Sequence, residues 1–223
     1  MKQIINYLMS VVMVLLFLGC APKTWQVQPE FNPSNVKRIG VVVPSVMVRM
    51  IDVGNDITVD QDLSAVARDA VEKGAVEALK ERGFEAFLLT SKEDAVTFLK
   101  GYVLLVGELP NHFPKNGVPT KPSKIEGFNH IRKNSNLDCV VAINGLDHKS
   151  TAGRKAKMIG LALLGVSGGQ GLTSVNYNIF CGEDGKPMFS DSYYKSSDIT
   201  TVSNVSGIVG GLVDNMKSVT PTM

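Results

Sequence analysis

Arg38-Ile-Gly-Val-Val-Val43 decides how the rest of the chain is read. The run is rich in Val and Ile, has no polar residue after its arginine, and is stopped by Pro44. A segment apolar on both faces has no side to turn toward water, so it reads as a central, buried strand. Such a strand needs covering layers, and the chain downstream supplies them. Over residues 62–82, Leu63, Val66, Ala67, Ala70, Val71, Ala75, Ala78 and Leu79 form one stripe at helical spacing, and charges fill the other arc. Gly83 ends that helix.

Further along, residues 84–89 read as a strand, and Ser91-Lys-Glu-Asp94 opens a short helix to Lys100. Residues 102–109 read as a third strand, and the prolines at 110, 114, 119 and 122 mark a loop. Ser123-Lys-Ile-Glu126 matches a capping box, with its helix reaching about Asn134. Residues 137–143 are the next strand. Residues 174–181 and 187–195 are strands around Glu183-Asp-Gly-Lys186, a hairpin signal because glycine tolerates positive φ. Residues 203–217 form a last, glycine-interrupted helix. Nearer the start, Val46, Val48 and Met50 alternate with Met47, Arg49 and Ile51, and Gly54-Asn55 can turn the chain. A small hairpin and an irregular loop fit residues 46–60 equally. The order as a whole predicts an α/β fold: a layered mixed sheet with helices, a C-terminal antiparallel hairpin and a final helix.

The first twenty residues bear on location. Lys2 is the only charge before position 20, residues 4–18 are an apolar run, and the run stops at Leu18-Gly19-Cys20-Ala21. A charged start, a short apolar core and a small residue before the cut make a secretory signal. The run is shorter than the roughly 20 residues a spanning helix needs. It resembles a bacterial lipoprotein signal, although Phe17 stands where leucine is commonest. That resemblance implies that Cys20 is acylated, becomes the new N-terminus and holds the protein on the membrane. Ala21, in place of the aspartate that retains such proteins at the inner membrane, implies the outer membrane and a periplasm-facing domain. The expected organisation is a signal peptide at 1–19, a tether at 20–36 carrying Pro22, Pro29 and Pro33, and a single α/β domain at 37–218 with a basic-apolar insertion at 148–172.

The chain has 23 Lys+Arg against 21 Asp+Glu, so no overall charge favours nucleic acid. Of its three cysteines, Cys139 and Cys181 remain after Cys20, both in strand-like segments. A simple antiparallel return through 148–172 centres near residue 160 and sets these two opposite each other. An oxidising envelope allows them to pair, while two free, buried thiols are the alternative. No C-x-x-C is present and the three histidines are widely spaced, so no metal or other cofactor is expected.

Gly165-Val-Ser-Gly-Gly169 matches G-x-S-x-G. A hydrolase elbow at Ser167 needs a helix after it and a histidine downstream. Here a strand-like run follows, and His112, His130 and His148 all precede the serine. No Lys-Ser or Lys-Thr follows these glycines, so a phosphate loop is unsupported. Asp147-His148-Lys149 reads as a solvated turn, and Gly207-Ile-Val-Gly-Gly211 as close packing of the last helix on the sheet.

Residues 148–182 contain no Asp or Glu. Lys149, Arg154, Lys155 and Lys157 come first, then Met158, Ile159, Leu161, Leu163 and Leu164 in a glycine-punctuated run. A basic flank with an apolar face suits an interfacial membrane segment or a partner-docking helix. An ordinary buried helix is the other reading.

The run 38–43, the helix end Ala78-Leu-Lys-Glu-Arg-Gly-Phe84, Leu137-Asp-Cys-Val-Val-Ala-Ile143 and the Asp184-Gly185 hairpin together resemble a family. It comprises the envelope lipoproteins related to the curli-secretion channel lipoprotein, the lipoprotein activators of penicillin-binding proteins and the N-terminal domain of the Tol-system propeller protein. The resemblance spans about residues 36–217. It implies assembly, channel or activator roles without catalysis, and carries over no catalytic residue. Residues 158–166 do not alternate as a membrane-barrel insertion would. The leading expectation is a lipid-anchored adaptor with an envelope protein as partner. An oligomeric secretion-channel or pore subunit is the runner-up, and a serine hydrolase the third.

Overall fold

The computed structural model describes residues 25–89, 92–106, 124–163 and 171–219. Among these the chain forms eight strands and five helices. The strands are β1 (Gln26–Val27), β2 (Arg38–Val42), β3 (Val46–Ile51), β4 (Ile57–Asp60), β5 (Glu85–Leu88), β6 (Cys139–Ser150), β7 (Thr173–Cys181) and β8 (Lys186–Lys195). The helices are α1 (Gln61–Glu81), α2 (Lys92–Val106), α3 (Phe128–Asn134), α4 (Ala152–Leu163) and α5 (Val202–Lys217).

The fold is α/β with one mixed sheet. Its order is β1-β8-β7-β6-β2-β5, with β3 also on β6 and β4 on β3. β2 lies parallel to β6 between Ile39↔Cys139 and Val42↔Ala142, and β3 continues along β6 from Val46↔Gly145 to Ile51↔Ser150. Thus β2 and β3 are one course along β6, broken where Pro44 removes a ladder donor. Arg68 satisfies the broken section, its Nη1 donating to the Val43 carbonyl at 2.6 Å and its Nη2 to that of Pro44 at 3.3 Å. β3 and β4 form an antiparallel hairpin, Ile51↔Ile57 to Val48↔Asp60. β6 and β7 pair antiparallel with Cys139 opposite Cys181 and Asp147 opposite Thr173, the register centred on residue 160. The β7–β8 turn holds Gly185 at φ 63°, packed against Phe128 where a side chain would clash.

Two apolar layers close the sheet. On one face α1 and α5 cover Ile39, Val41, Val48, Val141, Ile143, Val175, Tyr177, Ile179 and Phe189. On the other, α2 and α3 bring Phe98, Tyr102, Phe128 and Ile131 onto Val140, Ala142 and Phe180. Asp60 caps α1, its Oδ1 accepting from the Leu63 N–H at 2.9 Å.

Several sequence expectations are corrected. Residues 102–106 are not a strand: they continue α2, because Phe98 and Tyr102 recur at i, i+4 and share one core while Val103 and Leu104 face water. α3 starts at Phe128 after Gly127 at φ 78°, not at the Ser123 box, and Ile125 is buried with its N–H on the Asp184 carbonyl. Asp147-His148-Lys149 is strand, not a turn, because β6 runs on to Ser150 against both β3 and β7. Residues 25–36 are packed and do not form a free tether: Phe31 and Val36 are buried, and Lys186 pairs with Glu30. In α5, Gly207 and Gly211 face open space, while Gly210 is buried against the Arg82 guanidinium at the end of α1, and α1 approaches the α5 backbone through Gly74.

Candidate functional site

The residues singled out as partner or membrane contacts divide into separate groups. Lys149 is half-buried and already engaged. Its Nζ lies 2.9 Å from Asp198 Oδ1, 3.3 Å from Thr200 Oγ1 and 3.8 Å from Asp147 Oδ2. It is therefore a structural cation on the helix-covered face, not an open contact. Asp147 beside it is nearly fully buried, and burial raises its carboxyl above the ordinary aspartate range. The Thr173 hydroxyl, donating at 3.0 Å, and Lys149 oppose that shift without cancelling it. At Asp198, burial is outweighed by hydrogen bonds from Thr200 and Lys149, which hold the carboxyl below its ordinary value.

Arg154 is also committed. Its Nη1 donates to Asn55 Oδ1 at 2.6 Å and to the Asp52 carbonyl at 3.3 Å, tying the start of α4 to the β3–β4 turn. Lys155 and Lys157 are exposed on the first turns of α4. Met158, Ile159, Leu161 and Leu163 fall in the helical span of α4, but their side chains lie outside the described residues, as do Leu164, Ser167, His112 and Cys20. The other two histidines are apart: His130 on α3 meets Asn134, while His148 is on β6. Among the described residues, no group of three or more His, Cys, Asp or Glu could hold a metal ion, and no helix is long and apolar enough to cross a membrane.

Cys139 and Cys181 are joined by a disulfide, with Cα atoms 4.3 Å apart. The bond staples the start of β6 to the end of β7 and faces the α1–α5 layer.

A surface that no motif marked is the upper half of the other sheet face. Side chains alternate across a sheet. The pairings place Met47, Leu146, Ser174 and Tyr194 in one row, then Val59, Arg49 and His148 in the next, and Ile57, Ile51 and Ser150 beyond. Leu172, whose carbonyl accepts from the His148 N–H at 3.1 Å, completes the second row. A polar ladder bounds this surface below. Asn144 Nδ2 donates to the Tyr102 hydroxyl at 2.5 Å, and Ser192 Oγ donates to Asn176 Oδ1 at 2.8 Å. Burial raises the Tyr102 pKa against the lowering effect of Asn144 and Asn178, so Tyr102 serves as a neutral hydroxyl here. The alternation of residues 46–51 was the available sequence signal for this face. Which of its two stripes faced a helix layer could not be read locally.

No protein-family model matches the sequence, and no curated protein does. Solved structures similar to the chain include a PelC dodecamer from Paraburkholderia phytofirmans, at TM-score 0.41 and 9% identity, covering 88% of this chain and 96% of that one. Lipoprotein GNA1162 from Neisseria meningitidis is similar at TM-score 0.31 and 15% identity, covering 81% and 94%. The LpoB C-terminal domain from Salmonella enterica is similar at TM-score 0.30 and 10% identity, covering 73% and 84%. These are likenesses of chain course, and no residue role passes from them.

Proposed function

We propose that this protein is a lipid-anchored, periplasm-facing adaptor of a cell-envelope assembly, sorted to the outer membrane and without catalysis of its own. The observation that carries the reading is the closeness of the lipoprotein-type boundary at Cys20 to Trp25, whose ring packs against Phe189 with centroids 6.1 Å apart. An acylated Cys20 would hold a packed domain at the membrane on a five-residue link. The exposed Lys155 and Lys157, with the apolar run after them, are the proposed contact for an envelope protein partner. The G-x-S-x-G at Ser167 supports hydrolysis poorly, because no histidine follows it in the chain.

Metabolic labelling with a fatty-acid probe tests the anchor. Cys20→Ser should lose both the label and membrane fractionation, and a labelled variant would sink the reading. Crosslinking in intact envelopes tests the adaptor role, and should trap one protein through position 155 or 157. Native mass in mild detergent separates an adaptor from a channel: a ring-sized homo-oligomer would replace the adaptor reading with the pore-subunit one.

A further inference from the structure

The open half of the sheet has the chemistry of a membrane-resting surface. Four large apolar side chains on it are exposed: Ile57 by 55%, Val59 by 43%, Leu172 by 51% and Tyr194 by 57%. Strand parity puts them on one side of the sheet, together with the guanidinium-bearing Arg49. From the Asn144–Asn176–Ser192 row upward, the described strand residues on that side include no Asp or Glu. An apolar surface with a central cation and no acid complements an anionic lipid leaflet.

The chain's start places such a leaflet nearby. Gln26 pairs with Ser190 on β8, so the first described strand lies at the sheet edge next to this surface. Even fully extended, the link from Cys20 to Trp25 spans at most about 17 Å. Tyr194 stands four residues along β8 from Ser190, about 13 Å at strand rise. A lipid on Cys20 therefore keeps the β8 edge and the open face within reach of the same bilayer surface.

We propose that this sheet face rests on an anionic phospholipid leaflet. Ile57, Val59, Leu172 and Tyr194 enter the headgroup boundary, and Arg49 pairs with lipid phosphates. The tyrosine suits that depth, with an apolar ring and a hydroxyl that stays wet. The proposal rests on the anchor reading for its orientation, and the experiment separates the two.

The full chain purified from envelopes is placed in vesicles of phosphatidylethanolamine and phosphatidylglycerol with brominated acyl chains. Its single tryptophan is first replaced (Trp25→Phe), and a probe is introduced as Leu172→Trp or, separately, Tyr194→Trp. Val66→Trp, on the exposed side of α1, is the control. Circular dichroism melts confirm folding, and two probe positions guard against one failing. The expected result is quenching several-fold stronger at 172 and 194 than at 66, reduced by Arg49→Gln and in phosphatidylcholine vesicles. Equal quenching at all three positions overturns the proposal. So does absence of quenching with a doubled native mass, which assigns the face to a second copy. Mass spectrometry of the mature chain reads acylation independently. If Cys20 is unmodified the anchor reading fails, and vesicles added to the free chain then decide the face: quenching at 172 supports it and none overturns it.

Discussion

Asp147 holds a carboxylate almost wholly out of water, and its pH behaviour follows from that. Burial raises its pKa in the fold, so the folded chain binds this proton more tightly than the unfolded chain does. Its contribution is most favourable at acid pH and is lost as pH rises from the ordinary aspartate range through the raised value. Asp147→Asn removes that loss. Urea melts should show the variant gaining on the parent as pH is taken from about 4 to 7, the window above an unperturbed aspartate. An unchanged difference would show that Lys149 and Thr173 fully offset burial. Tyr177 offers a second residue-scale test. Its ring is fully buried, and its hydroxyl has no hydrogen-bond partner among the described residues. An unpaired buried hydroxyl is costly, so Tyr177→Phe should stabilise the protein by about 1 kcal/mol in denaturant titration.

At the scale of elements, α1 and α5 meet where α1 has no side chain. A Cβ on Gly74 would stand 2.8 Å from the Val202 carbonyl oxygen and 2.9 Å from Val205 Cβ. Backbone cannot retreat as a side-chain tip can, so Gly74→Val should cost about 1–3 kcal/mol by thermal melting. Gly207→Ala, facing open space, is the control and should not lower the melting temperature. Arg82 locks the far ends of these helices, its Nε and Nη2 donating to Asp214 at 2.8 and 2.9 Å. Asp214 is largely exposed, so solvent screening keeps that pair a minor contributor. Between β6 and β7, the disulfide closes a separation of 42 residues. Replacing Cys139 and Cys181 with alanine should cost about 2–4 kcal/mol, mainly by freeing the unfolded chain. Mass spectrometry without reductant should find no free thiol at either position in envelope-purified protein.

At the scale of the whole molecule, the region between β6 and β7 separates folding from function. Deleting residues 154–169, with a short linker, removes the Arg154 tie to the β3–β4 turn and the exposed lysines, and none of the described side chains it removes, 154–157, belongs to either core layer. The shortened chain should keep a cooperative melt and lose its crosslinked envelope partner. If the deletion unfolds the protein, the segment belongs to the core and the docking role fails.

What the sequence determined by itself was periodicity. The stripe of α1, the buried run of β2, the β7–β8 hairpin and the apolar side of α5 are local patterns, and local patterns survive folding when both neighbours agree with them. The β6–β7 register was also accessible, because an antiparallel return has a single centre. Tertiary structure decided the remainder. Residues 102–106, Tyr-Val-Leu-Leu-Val, are apolar throughout and read as strand yet are helical, because Phe98 and Tyr102 found one core together. Lys149 became an internal cation because Asp198, 49 residues away, lies against it. The open sheet face exists because α2 and α3 cover only the lower rows of one side, and no stretch of β3, β4, β7 or β8 records how far a helix on another segment will reach.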